Sequence, residues 1–330
     1  MRRTIQAIFL SLLAAEVLVV GQGADAKRVL TELRAALGGE EKLGAVKTLA
    51  IEGQVTRSMP DGMSSSSDFE LAFELPDKYM KSDVFANLGG NQLKRRVGFN
   101  GAEPFEEMDA PPGMMGGGGM HMMRLSPGGP MPGGQATPEQ LEKQRAQTMA
   151  LQRREFARLA LGMFGSSFSP MPLEFKYAGQ AESPDGKADV LEVQGADGFT
   201  AKFYVDGKSH LPLMLTWMDK EPLVLTMGGP GGGGNISIKG GQVQMSGGRG
   251  TSPEEAARMQ QEMADRMKQA EANRRTVEYR MFYADYKAID GVKLPTKIQR
   301  MMEGLPTDEM AFEKIKVNGK IDPNKFKVAK

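Results

Sequence analysis

Hydrophobic and polar residues alternate over several short stretches of this chain, and a two-residue period is typical of half-buried β-strands. The clearest example runs from Phe69 to Leu75, where every second side chain is large and apolar. Similar stretches predict further strands at 48–56, 79–85, 93–99, 173–177, 188–193, 199–205, 213–218 and 310–317. The pattern therefore predicts a fold dominated by β-sheet.

Tight-turn signals lie between many of these strands. Asp206-Gly207 and Asp290-Gly291 are each followed within a few residues by Leu-Pro and another apolar stretch. Glycine tolerates the positive φ that a tight hairpin requires. These signals predict hairpins over 203–213 and 277–302, and hence a meandering antiparallel sheet.

A helical period of apolar residues appears in four places. Two short helices are predicted at 25–37 and 40–46, ahead of the first strand. A longer helix should run from Thr137 to about Phe164, because its first residues have the composition of a capping box with proline at the first helical position. A fourth helix should begin at Ser252, and its apolar side is formed by Met259, Met263 and Met267.

Two stretches rich in glycine and methionine interrupt the strand pattern, at 111–136 and 227–251, and each is followed by one of the longer helices. Such segments bury too little apolar surface to offset the entropy of ordering them, so both are predicted to be flexible inserts. The second insert contains a weak strand signal at 236–238. Together, sheet strands with segregated helices indicate a single α+β domain over 27–330, whose antiparallel sheet must curl around its apolar face.

The N-terminus begins with two arginines, an apolar stretch over 5–20 and small residues at Ala24 and Ala26. This order is typical of a secretory signal peptide, so we predict that residues 1–26 are removed and that the mature protein is periplasmic. An uncleaved membrane anchor is the alternative, although Glu16 interrupts an already short apolar stretch. No later apolar stretch is long enough to span a membrane.

Charge and composition argue against several classes of function. The 42 basic and 41 acidic residues give a formal net charge of +1, which indicates no nucleic-acid partner. The chain has two histidines and no cysteine, so it can form no disulfide and offers no thiol for lipid attachment. No HExxH, GxSxG or P-loop spacing occurs. We therefore predict a protein that is not an enzyme, with no cofactor and no metal site.

Two groups of residues allow a second interpretation. Glu103, Glu106, Glu107 and Asp109 collect acidic oxygens, but they lack the spacing of a calcium loop and are predicted to form a solvated loop. His121 lies among methionines of the first insert, and thioethers beside an imidazole suit Cu(I). A Met-rich copper-handling protein is therefore an alternative, which deletion of residues 113–134 would test.

Several of these segments resemble the outer-membrane lipoprotein-sorting superfamily, which includes the periplasmic lipoprotein carrier. The resemblance is carried by Gly38-Gly39, the Gly53 strand, Leu75-Pro76-Asp77-Lys78, Phe99-Asn100-Gly101, Asp285-Tyr286 and Asp290-Gly291-Val292-Lys293-Leu294-Pro295. It implies an unclosed half-barrel, a strongly curved antiparallel sheet with helices covering its apolar concave face. In such proteins the cavity receives acyl chains or a hydrophobic segment, and the Met-rich inserts of this chain depart from that pattern.

The predicted function is therefore non-catalytic binding or carriage of a lipid, a lipoprotein acyl chain or another hydrophobic ligand in the cell envelope. Its partners would be that ligand or a lipidated protein, and a protein of the outer or inner membrane. An envelope scaffold or sensor that binds proteins is the alternative if the interior is packed solid. Residues predicted to line the cavity are Phe69, Leu71, Phe73, Leu213, Leu215, Trp217, Met259, Met263 and Met267.

Overall fold

A computed structural model describes residues 22–58, 64–86, 92–109, 122–124, 137–184, 186–221, 225–227, 236–239, 242–245 and 269–327, together with residues 258 and 265. Two helices, α1 (Gln22–Leu37) and α2 (Glu40–Ala45), precede the first strand. A longer helix, α3 (Pro138–Phe164), lies between the two halves of the sheet sequence, and a 3-10 helix follows at Pro323–Phe326. Most of the predicted fourth helix lies outside the described residues. No helix among the described residues is both long and apolar enough to cross a membrane.

Twelve of the described strands form one sheet, in which the pairings are antiparallel. These strands are β1 (Thr48–Ser58), β2 (Ser64–Glu74), β3 (Lys78–Ala86), β4 (Gln92–Asn100), β5 (Glu103–Asp109), β7 (Leu173–Ser183), β8 (Gly186–Gly195), β9 (Thr200–Asp206), β10 (Pro212–Lys220), β14 (Thr276–Ala284), β17 (Lys297–Met302) and β18 (Leu305–Val317). Six short strands complete the set: β6 (Met122–Arg124), β11 (Leu225–Met227), β12 (Ile236–Lys239), β13 (Gln242–Met245), β15 (Lys287–Ile289) and β16 (Val292–Leu294).

The main sheet is curved but does not close into a barrel. Its strand order is β5-β4-β3-β2-β1-β18-β17-β14-β10-β9-β8-β7, so β5 and β7 are free edges that do not pair with each other. Helix α3 packs on β5 and β4, α1 packs on β7, and the two helices contact each other. The helices therefore connect the two edges, and the predicted α+β half-barrel is confirmed.

The core lies between the concave face of the sheet and these two helices. Helix α1 contributes Val29, Leu33 and Leu37, each of which is 0% exposed. The predicted apolar side of α3 is also buried, and it comprises Met149, Phe156, Leu159, Ala160 and Met163. Inward side chains from both halves of the sheet join them in a single hydrophobic cluster. The apolar stripes read from the sequence thus meet in one core.

The predicted hairpin at 277–302 is divided into two parts. Strands β14 and β17 pair as far as Ala284 and Lys297, and the chain then continues as the separate hairpin β15–β16. Asp285, with φ of 55°, interrupts the strand, and its carbonyl accepts a hydrogen bond from the Thr296 hydroxyl at 2.7 Å. The tip, with its Asp290-Gly291 turn, packs β16 on α1 and α3. The hairpin therefore supplies one wall of the sheet and a separate contact with the helices.

Parts of the two Gly/Met-rich inserts pair with each other. Strand β6 of the first insert pairs with β13 of the second, and the strand order β11-β12-β13-β6 makes a small four-stranded sheet. The strand expected at 236–238 is present as β12. The other residues of the two inserts, including His121, lie outside the described residues. The inserts are therefore linked through backbone pairing, which their composition did not predict.

The acidic residues expected in a solvated loop instead belong to the edge strand β5, so that prediction is wrong. Arg95 Nε donates a hydrogen bond to Glu106 Oε1 at 3.0 Å, and Arg96 Nε donates one to Glu107 Oε2 at 2.9 Å. Opposite charges that face each other on neighbouring strands stabilise the pairing. Because Glu106 and Glu107 of β5 match arginines of β4, β5 extends the sheet by one strand.

Candidate ligand-binding interior

Three residues predicted to line the cavity lie on β2 and face the concave side. Phe69, Leu71 and Phe73 are 4%, 0% and 0% exposed, because alternate side chains of a strand point to the same face. The ring centroid of Phe73 lies 6.0 Å from that of Phe156 on α3, and Phe69 lies 5.7 Å from Phe312 on β18. The structure thus places all three in the core beneath the helices.

The residues predicted on β10 do not all share one face. Leu215 and Trp217 are buried in the core, but Leu213 is 39% exposed. The register between β9 and β10 shifts between Pro212 and Met214, so Leu213 is the extra residue of an irregularity. Such an insertion reverses the side on which the next residue lies. The expectation that Leu213 shares the face of Leu215 and Trp217 is therefore wrong.

The remaining predicted lining residues, Met259, Met263 and Met267, lie outside the described residues. Their placement over the interior stays a prediction.

Side chains of α3 occupy much of the concave face. The ring of Phe156 lies 5.5 Å from Phe99, 6.0 Å from Tyr79 and 5.7 Å from Phe168, measured between centroids. Aromatic pairs at these separations stabilise a core beyond the area that they bury. Phe156 therefore fills the space between α3 and this part of the concave face.

A groove of about 450 Å³ lies beside α1, at the free edge formed by β7. Leu30 and Phe175 contribute apolar surface, and Arg34 forms an ion pair with Glu40 at 2.6 Å. Its other lining residues are Gly23, Ala26, Lys27, Thr31, Gly165, Ser166 and Ser167. The volume falls within the range of about 300–1,000 Å³ that is usual for small-molecule sites. The groove therefore lies at the edge where the sheet is open, and both apolar and charged side chains line it.

Charged residues lie on the same concave side as the apolar core. Glu155 of α3 forms an ion pair with Arg300 of β17, whose Nε lies 3.8 Å from Asp308 of β18. Burial alone raises the pKa of Glu155, but Arg300 together with Lys81 lowers it more, so the net pKa lies below the usual value. This carboxylate therefore stays charged and joins α3 to the sheet.

A buried tyrosine, Tyr79, lies near this ion pair. Tyr79 is 0% exposed, and its hydroxyl has no hydrogen bond among the described residues. Burial, reinforced by the charge of Glu155, raises the pKa of Tyr79 well above its usual range. The hydroxyl therefore stays protonated, and none of the described residues accepts its hydrogen bond.

A second charged group surrounds the single tryptophan of the chain. The guanidinium of Arg158 lies 4.1 Å from the Trp217 ring centroid, and Trp217 stacks on Tyr279 with 5.5 Å between centroids. Burial lowers the pKa of Arg158 to about 10. The hydroxyl of Tyr283 donates a hydrogen bond to the Arg158 carbonyl at 2.7 Å. This end of α3 is therefore held by aromatic residues of β10 and β14.

The sequence interpretation missed these interior charges, although the strand pattern contains them. Lys81 and Asp83 continue the inward series that Tyr79 begins, and their side chains are 13% and 11% exposed. Arg300 continues the series of Ile298 in the same way. Extending each alternation beyond its last apolar residue would have identified them. Among the described residues, no three histidine, aspartate, glutamate or cysteine side chains converge as metal ligands.

No protein-family model and no curated protein sequence matches this chain. Solved structures similar to it include a LolA superfamily protein from Nitrosomonas europaea, at 11% identity and a TM-score of 0.44, covering 92% of this chain and 97% of the other. A second is a putative outer membrane lipoprotein-sorting protein domain from Vibrio parahaemolyticus, at 10% identity and a TM-score of 0.40, covering 92% and 96%. A DUF1329 family protein from Desulfovibrio piger follows at 8% identity and a TM-score of 0.37, covering 92% and 97%.

Proposed function

We propose that this protein is a non-catalytic binding or carrier protein of the bacterial cell envelope, which takes up a lipid, a lipoprotein acyl chain or another hydrophobic ligand inside the half-barrel. The observation that carries the proposal is an apolar concave face whose two sheet edges are left unpaired and are connected only by α1 and α3 among the described elements. A closed barrel would need broken strand pairing to admit a chain. This sheet needs only the displacement of a helix.

Helix α3 suits the role of a movable cover. It is attached to the sheet by side-chain packing and by a few polar contacts, including the Glu155–Arg300 ion pair and a hydrogen bond from the Tyr286 hydroxyl to the Gly162 carbonyl at 3.0 Å. An acyl chain that replaced the apolar side of α3 would gain about 0.8 kcal/mol for each buried methylene. A chain of ordinary length could therefore compensate for the lost helix contacts.

The N-terminal signal pattern supports an exported protein, so the proposed location of the ligand is the periplasm. The cargo would then be an envelope lipid or a lipidated protein, delivered to or received from a membrane protein. Binding of a lipid is tested by purifying the full chain from cells and analysing an organic extract by mass spectrometry. Repeated lipid-free preparations that also fail to bind a fluorescent fatty acid would contradict it.

A sharper experiment restrains α3. The native chain has no cysteine, so a Glu155→Cys/Arg300→Cys variant carries two thiols that a short bis-maleimide can join across the helix–sheet contact. We expect the uncrosslinked variant to bind the fluorescent fatty acid and the crosslinked variant to lose most of that binding. The single variant Glu155→Cys, treated with the same reagent, controls for modification alone. Equal binding before and after crosslinking would show that α3 is not the cover.

A filled interior favours the second candidate function, an envelope scaffold or sensor that binds protein partners. The aromatic residues around Phe156 already occupy the concave face. For a scaffold, the organic extract would contain no lipid, and the fluorescent fatty acid would not bind with or without the crosslink. Envelope proteins would be retained by the immobilised chain whether or not α3 is crosslinked.

A further inference from the structure

Two arginines of α3 share one carboxylate at the end of the interior nearest β10. Arg158 Nη2 lies 3.9 Å and Arg154 Nη1 lies 4.0 Å from Asp219 Oδ2, which is the outer limit of an ion pair. The Nε atoms of both arginines are buried and have no hydrogen-bond partner among the described residues. Buried donors of a charged group are costly to leave unpaired. This pair therefore has more donor capacity than its protein surroundings use, while Glu155 of the same helix balances part of the charge of Arg158.

The surroundings hold one of these groups in a defined orientation. Arg158 lies over the face of Trp217, at 4.1 Å, and Trp217 in turn stacks on Tyr279 with only 10° between the ring planes. A guanidinium held against an aromatic face still has its edge free for a bidentate contact. The side chains of Arg158, Arg154 and Asp219 are 12%, 22% and 36% exposed, so the group lies where the interior meets solvent.

We propose that Arg154 and Arg158, with Trp217 and Tyr279 as an aromatic wall, form a subsite for the phosphate or carboxylate head group of an amphiphilic ligand. This inference rests on the proposed function, because the apolar chain of the same ligand would extend along the concave face from Trp217 toward Leu215. The anion takes the place of the long contacts with Asp219. Guanidinium groups bind such oxygens through two parallel hydrogen bonds, and these charged hydrogen bonds are among the strongest in proteins. The ligand class is therefore a single- or multiple-chain anionic amphiphile.

The test compares three probes on the full chain by isothermal titration calorimetry: decyl phosphate, decanol and inorganic phosphate. For the wild-type protein we expect decyl phosphate to bind more tightly than decanol, and inorganic phosphate to bind far more weakly than either. In the Arg154→Gln/Arg158→Gln variant, decyl phosphate should bind about tenfold to a hundredfold more weakly, as expected for the loss of charged hydrogen bonds. Decanol should bind as it does to the wild type, which also shows that the variant is folded.

Arg145→Gln is the matched control, since Arg145 lies on the same helix with a half-exposed side chain and pairs with Glu103. It should leave all three affinities unchanged. Arg158→Lys keeps the charge but loses the planar contact with Trp217, so it should weaken decyl phosphate binding to an intermediate extent.

Three outcomes would overturn the inference. Unchanged binding of decyl phosphate in the double variant, with decanol still bound, would leave the carrier function intact and reject the head-group site. An equal loss of both amphiphiles would assign the arginines a purely structural role. Inorganic phosphate that binds as tightly as decyl phosphate would identify a free-anion site instead. If neither amphiphile binds the wild-type protein, the proposed function itself fails.

Discussion

Glu155 joins α3 to the sheet through Arg300, and both side chains are 19% exposed. Glu155→Gln removes the charge that this buried guanidinium faces, while the shape of the side chain is kept. We expect the free energy of unfolding to fall by about 1–3 kcal/mol, because an amide replaces a charged partner of the buried guanidinium and accepts a weaker hydrogen bond. Chemical denaturation measures the change. Glu52→Gln removes a carboxylate from the exposed pair with Lys314 and should have no measurable effect.

The same pair gives the protein a pH dependence. The pKa of Glu155 is lowered in the folded protein from 4.5, because Arg300 and other cations outweigh the opposing effect of burial. A carboxylate with a lowered folded-state pKa stabilises the protein above the pKa of the unfolded chain. This stability is therefore present above about pH 4.5 and is lost as the pH falls through the lowered value. Denaturation curves between pH 3 and 6 should converge for wild type and Glu155→Gln at the acidic end, and a constant difference would contradict this assignment.

Gly162 lets α3 approach the sheet closely. A Cβ at this position would lie 2.1 Å from a ring atom of Tyr283, whose hydroxyl is bonded to the same helix. Gly162→Ala should therefore destabilise the protein by about 1–3 kcal/mol through overpacking, although alanine is the better helix former. Gly44→Ala is the matched control in α2, since nothing lies within 4 Å of its Cβ position and a small gain in melting temperature is expected. Equal effects of the two substitutions would contradict the close contact with Tyr283.

At the scale of elements, the local sequence predicts both ends of α3. Thr137 and Gln140 form the expected capping box, with the Thr137 hydroxyl accepting from the Gln140 backbone N–H at 3.2 Å, and Gly165 ends the helix with φ of 56°. Strand β5 is the opposite case. Its acidic residues, taken alone, indicate a loop, and the strand is explained only by Arg95 and Arg96 of β4, which bind Glu106 and Glu107. A helix cap depends on residues within one helical turn, whereas strand pairing depends on a neighbouring strand whose position cannot be derived from the local sequence.

The C-terminal 3-10 helix covers the convex side of the sheet, which the sequence did not predict. Phe326 is 2% exposed and packs with Met80 and Phe105. Phe326→Ala should destabilise the protein by about 3–5 kcal/mol, the usual cost of truncating a buried phenylalanine. Differential scanning calorimetry measures it, and a loss below about 1 kcal/mol would mean that the terminal segment does not hold the sheet. Because the site lies on the opposite face, ligand binding by this variant should persist below its melting temperature.

At the scale of the whole molecule, the single tryptophan reports on the interior. Trp217 is 9% exposed and lies between Arg158 and Tyr279. A ligand whose chain extends along the concave face from Trp217 toward Leu215 changes the surroundings of the indole, so we expect a change in Trp217 emission that saturates with the fluorescent fatty acid. Met218→Glu, on the same strand with a side chain 57% exposed, should leave that change intact. An emission spectrum that stays constant while ligand binds would contradict a ligand chain beside Trp217.

Binding should also raise the stability of the whole domain. A ligand that binds only the folded state adds about 2.7 kcal/mol at a concentration one hundred times its dissociation constant. The melting temperature of the full chain should therefore rise with decyl phosphate and continue to rise beyond saturation. A saturating ligand that leaves the melting temperature unchanged would not be held in the core.

The sequence by itself determined the antiparallel meander, the bounds of α3 and the apolar stripes that form the core, because alternation, helical spacing and turn residues are local properties. Only the tertiary structure decided that β5 and β7 are the two edges of the open sheet, that the 277–302 hairpin divides at Asp285, and that Leu213 turns out of the core. It also brought Arg158, Asp219 and Trp217 together from α3 and β10. These features depend on how far the sheet curves and on which distant residues meet across it, and no spacing along a single strand or helix specifies either.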